Sequence, residues 1–85
     1  MQSRRRQTFT NAFERAYKKL KSFDVERVKR TIEDATLDPA AGKQLVRNRD
    51  RWARRVGDLR IVYVFDNQSI TFIYCGNRDE VYDLP

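Results

Sequence analysis

The chain has 85 residues, a formal net charge of +6 and an isoelectric point near 9.9. That length predicts one domain over residues 1–85, near the size at which a single core barely suffices without staples or a partner, and the charge suits a polyanion or an acidic protein segment. One cysteine, no histidine, no secretory apolar region and no long apolar run predict a soluble cytoplasmic protein with no membrane span, no zinc site and no cofactor.

From the start, Arg4, Arg5 and Arg6 form a run that by itself fits a solvated terminus. Thr10-Asn11 opens a first helix, with Asn11 as cap and Glu14 able to reach back to it. Phe13, Ala16, Tyr17 and Leu20 recur at helical spacing and give it one apolar face. Ser22-Phe23-Asp24 breaks this helix and starts a second, with Asp24 as cap and Phe23 and Val28 as a hydrophobic staple. Val25, Val28, Ile32 and Ala35 continue the stripe. The helix has to end before Asp38-Pro39, because a residue preceding proline avoids the α region. Residues 40–50 read as a loop.

The last third carries the sheet. A strand over Arg51–Val56 joins a second over Arg60–Phe65 through Gly57-Asp58, where glycine can take the positive φ of a tight turn. Asp66-Asn67-Gln68-Ser69 then turns into a third strand over Ile70–Cys75, rich in β-branched and aromatic residues. The three strands form an antiparallel meander with the two helices laid as a hairpin over one face, an α+β fold of two layers. Cys75, with no histidine to activate it, reads as a small buried hydrophobe at a strand end.

Alternation along the middle strand puts Leu59, Ile61, Tyr63 and Phe65 on one face and Arg60, Val62 and Val64 on the other. Arg60 is thus a single charge among apolar neighbours. An isolated arginine of this kind is ordinarily a solvated edge charge, but Arg54 and Arg55 precede it, and Arg78 and Tyr82 follow. From Lys43 to Arg60 seven cations, including Arg47, Arg49 and Arg51, stand against Asp50 and Asp58, a local charge of +5. Such a cluster neutralises phosphates and predicts salt-dependent nucleic-acid binding.

The string Arg55-Val56-Gly57-Asp58-Leu59-Arg60-Ile61-Val62-Tyr63, followed by Gly76-Asn77-Arg78-Asp79-Glu80-Val81-Tyr82, resembles the signature of the RelE/ParE superfamily of toxin–antitoxin toxins. The resemblance covers almost the whole chain. It implies a RelE-like fold with an additional first strand, here about Arg5–Phe9. It also implies a toxin silenced by a small acidic antitoxin, in RelE-type members an endoribonuclease that cleaves messenger RNA on the ribosome and blocks translation without a metal.

By that resemblance Arg60 and Arg78 stabilise charge on the phosphorane-like transition state, a task suited to a guanidinium that stays charged and offers paired donors. Tyr82 stacks on a base or moves a proton. Arg47, Arg49, Arg51, Arg54 and Arg55 are the expected RNA contacts. Two departures stand out: arginines replace the lysines that well-studied RelE proteins carry before the Gly-Asp turn, and Asn77 replaces a frequent histidine. Both remove candidate proton carriers. ParE-type members share the fold but poison a DNA topoisomerase without catalysis and generally lack the Arg60, Arg78 and Tyr82 set, whose retention favours the ribonuclease. A degenerate, non-catalytic member is the third reading.

Overall fold

The computed structural model describes residues 4–46 and 50–77. Its elements are β1 (Arg6–Phe9), α1 (Asn11–Lys18), α2 (Ser22–Leu37), a 3-10 turn (Pro39–Ala41), β2 (Lys43–Gln44), β3 (Trp52–Val56), β4 (Leu59–Phe65) and β5 (Ser69–Asn77). The sheet has five strands in the order β1-β5-β4-β3-β2. The meander β3-β4-β5 is antiparallel as the turns dictate, while β1, reached only through the helices, lies parallel to β5 and makes the sheet mixed.

Local chemistry explains most boundaries and corrects three. The cap of α1 is Thr10 and not Asn11: the extended Thr10 accepts the Phe13 N–H at 3.1 Å through Oγ1, and its hydroxyl donates to the Ile73 carbonyl of β5. One side chain both caps the helix and ties it to the sheet. Helix α2 begins at Ser22, before the expected cap, because the Lys21 carbonyl already accepts the Val25 N–H at 3.0 Å. Asp24 therefore sits inside the first turn, where its charge complements the helix dipole. The helix does stop at Leu37, ahead of Asp38-Pro39. The expected loop after it contains β2, which pairs with Ala53 and Trp52 of β3. Gly57 takes φ 61° in the β3–β4 turn, and Asp66 Oδ1 accepts the N–H groups of Gln68 and Ser69, each at 2.8 Å, to close the β4–β5 turn.

Both helices cover one face of the sheet. Phe13, Val28, Ile32 and Ala35 meet Val56, Ile61, Tyr63, Ile70, Phe72 and Cys75 in one buried cluster, with Phe9, Trp52, Leu59 and Phe65 at its margin. The Phe72 ring is its hub, 5.3 Å from Phe9 and 5.9 Å from both Phe13 and Tyr63. Buried Tyr63 satisfies its hydroxyl by donating to the Pro39 carbonyl at 2.6 Å. Cys75 is buried here too, and burial pushes its thiol pKa up to about 11. Among the described residues no helix is long and apolar enough to cross a membrane.

One irregularity governs the other face. The β4–β5 register shifts between Val62 and Tyr63, so that Val62 faces Tyr74 while Tyr63 faces Phe72. Strict alternation from Ile70 would have sent Tyr74 into the core. The β-bulge instead makes the buried series Ile70, Phe72, Cys75 and leaves both Ile73 and Tyr74 on the helix-free face, packed against Ala53 and Val62.

Candidate functional site

Directly paired residues of antiparallel strands share a face, so the registers lay out the helix-free surface as two rows. One runs across four strands as Lys43, Ala53, Val62 and Tyr74. The next runs as Arg55, Arg60 and Gly76. Arg60 is half-buried and Arg55 exposed. The two arginines stand side by side on neighbouring strands, and like charges directly opposite one another destabilise a sheet. Arg55 Nε donates to the Gly57 carbonyl at 2.9 Å, which anchors its guanidinium at the turn. A shallow depression of about 200 Å³ is lined by Arg55, Gly57, Asp58, Leu59 and Arg60.

The arginine pair and its depression can bind an anion and neutralise charge that develops on it. A guanidinium is charged at any working pH and its forked donors match two phosphate oxygens, so the pair is suited to neutralising charge on an anion and not to proton abstraction. Asp58 is the carboxylate lining the depression among the described residues. Sequence reasoning read Asp58 as a turn and motif residue and counted it against the local charge, but gave it no place in the site. It also left Lys43 outside the site; the register with Ala53 places it on this face, a pairing that no local pattern in residues 40–50 signals.

The expected RNA-contacting arginines separate. Arg55 lies on the helix-free face, and extending the alternation of β3 back from Ala53 puts Arg51 on the same side. Arg54 lies on the opposite face, paired with Ile61. Its guanidinium donates to the Asp38 carbonyl and, at 3.5 Å, to the Asp34 carbonyl and the Tyr63 hydroxyl. Both carbonyls, at the C-terminal end of α2, also accept a backbone N–H, from Asp38 and Ala41 respectively, so Arg54 adds a second donor to each. Arg47, Arg49, Arg78 and Tyr82 lie outside the described residues. Arg60 and Arg55 are therefore the expected site residues that the sheet itself brings together.

A second surface lies across the helix layer. A groove of about 660 Å³ between β1, α1 and α2 is lined by Phe9, Phe13, Tyr17 and Ile32, with Lys18 and Lys29 among its polar residues.

Comparison with known proteins agrees with this architecture. The family model described as the ParE toxin of type II toxin–antitoxin systems, parDE, matches residues 8–82. No curated protein matches the chain. The toxin–antitoxin complex RelBE2 of Mycobacterium tuberculosis contains a chain with a TM-score of 0.79 at 22% identity, covering 92% of this chain and 95% of that one. The YoeB dimer of Staphylococcus aureus gives 0.77 at 20% identity, covering 89% and 99%. The isolated RelE toxin of E. coli gives 0.74 at 24% identity, covering 92% and 90%. At these identities the likeness is one of fold.

Proposed function

Starting from the fact that this chain belongs to the ParE toxin family of type II toxin–antitoxin systems, we propose that it is an endoribonuclease that blocks translation by cutting messenger RNA on the ribosome. The observation that carries this reading is the Arg55–Arg60 pair on the helix-free face, where two like charges stand directly opposite and an RNA phosphate between them relieves their repulsion. Arg60, with Arg78, stabilises the extra charge that forms on phosphorus as the 2′-hydroxyl attacks and the 5′-oxygen leaves. Tyr82 serves the proton transfers or stacks on a base; a tyrosine has a reference pKa near 10, so cationic neighbours are what would let it work as a base. Arg55 shares that phosphate with Arg60, and Arg51, with Lys43 and the Arg47–Arg49 segment, holds the flanking phosphates.

The partner of this toxin is an antitoxin. Several of the solved structures with this fold are complexes of a toxin with its antitoxin, among them those from Mycobacterium tuberculosis and E. coli. For this chain we propose an acidic, partly disordered segment that folds onto the apolar groove lined by Phe9, Phe13, Tyr17 and Ile32 and sets carboxylates against the arginines. Blocking access to Arg60 is enough to silence the toxin.

The second reading is poisoning of a DNA topoisomerase without catalysis, favoured by the ParE name of the matching family model. Inducing the protein without its antitoxin separates the two. Cut messenger RNA within reading frames, absent in Arg60→Ala, supports the ribonuclease. DNA breaks with intact messages, persisting in Arg60→Ala, establish the topoisomerase reading instead.

A further inference from the structure

Arg60 accounts for a phosphate but leaves the base attached to the same nucleotide without a described contact. The bulge between β4 and β5 supplies one. By shifting the register between Val62 and Tyr63 it moves Tyr74 out of the core series and onto the helix-free face, directly across from Val62 and diagonal to Arg60. Diagonal positions on an antiparallel pair lie about 7–8 Å apart, within reach of long and aromatic side chains. We propose that Tyr74 is a nucleobase platform: a base of single-stranded RNA stacks on its ring while the phosphate of the same nucleotide is held by Arg60 and Arg55.

Three observations support the assignment, which rests on the ribonuclease reading. The first is position. Tyr74 closes the row Lys43–Ala53–Val62–Tyr74, beside the row Arg55–Arg60–Gly76, so an aromatic residue stands diagonal to Arg60 on the same face, with Arg55 one strand further on. The second is chemistry. Every base has a π-face, and grooves that bind single strands combine cations tracking the backbone with aromatic rings for the bases. The third is support. Val62 and Ala53 are buried beneath Tyr74 although they lie on the helix-free face, so the ring rests on a fixed apolar floor while remaining only half-buried itself. A floor of that kind also fits a ring that merely covers Val62, and the choice of variants has to separate the two roles.

Tyr74→Phe keeps the ring, and Tyr74→Leu keeps the apolar cover but loses the π-face. Binding is measured by fluorescence anisotropy with a short single-stranded oligoribonucleotide and with matched oligoribonucleotides carrying one abasic position at each site in turn. The expected result is that Phe retains the affinity while Leu weakens it about tenfold. One abasic position should weaken the unaltered protein by a similar factor and cost the Leu variant nothing more, the non-additivity that marks a direct contact. Equal affinity of the Leu and Phe variants, both folded by circular dichroism, overturns the platform while leaving the ribonuclease reading intact. An abasic penalty of the same size in the Leu variant overturns it equally. No binding of the oligoribonucleotide or of ribosomes by the unaltered protein removes the ribonuclease reading, and the platform falls with it.

Discussion

Arg54 and Arg55 are neighbours in sequence and identical in chemistry, yet the two faces of the sheet give them different work. On the helix-covered face Arg54 spends its donors on carbonyls of Asp34 and Asp38 and on the Tyr63 hydroxyl, joining α2 to β3 and β4. On the opposite face Arg55 stands beside Arg60 at a depression open to solvent. The contrast extends along β4, where Tyr63 is fully buried against Phe72 and Arg60, three residues earlier, is not. In so small a chain one sheet serves both as the wall of the core and as the floor of the site. Stability and function are then separable residue by residue, and that separability can be tested.

The largest effect belongs to the covered face. Phe72→Ala removes the ring that touches Phe9, Phe13 and Tyr63, at a cost of about 3–5 kcal/mol. Natural domains hold only about 5–15 kcal/mol in all, so urea denaturation should show a protein largely or wholly destabilised. A small shift would mean that the aromatic cluster is not the core. On the other face, Arg60→Ala should lower RNA cleavage about a hundredfold, the scale of removing one preorganised donor at a charged transition state. Its melting temperature should barely move, and unfolding of this variant would break the separation of the two faces.

The adjacent arginines sharpen the comparison further. Arg54→Ala should cost about 1 kcal/mol, because it strips donors from helix-end carbonyls, while RNA affinity per folded molecule stays the same. Arg55→Ala should leave the melting temperature alone and reduce the slope of log affinity against log salt by about 0.7–0.9, one phosphate contact. Exchanged phenotypes would show the face assignment to be inverted.

The last effect shows only at high pH. Burial raises the Cys75 thiol from 9.0 to about 11 and also raises Tyr63 from 10.0. Between pH 9 and about 11 the unfolded chain releases a thiol proton that the folded chain keeps. Stability is therefore full below about pH 9 and declines as pH rises toward the folded value, with Tyr63 extending the decline. Cys75→Ala should flatten the lower part of that limb in denaturation measured across pH, and an unchanged slope would place the thiol in water.

Much of this was legible in the residues themselves. Period-two alternation set Arg60 apart from Ile61 and Tyr63, Gly57-Asp58 and the Asp66–Ser69 segment fixed the two turns, and Asp38-Pro39 stopped α2, because each of these signals is carried by a few contiguous residues. The family resemblance rested on motifs of the same local kind, and it supplied the first strand. What the sequence left undecided depended on partners distant along the chain. The parallel pairing of β1 with β5, the capture of Lys43 by β3 and the use of Arg54 as a helix-end donor all join residues far apart in sequence. The bulge that turns Tyr74 toward Arg60 is the sharpest case. An extra residue in a strand leaves no local mark where Phe72, Ile73, Tyr74 and Cys75 follow one another without a polar residue between them; it appears only when β5 must match β4 on one side and keep Phe72 and Cys75 in the core on the other.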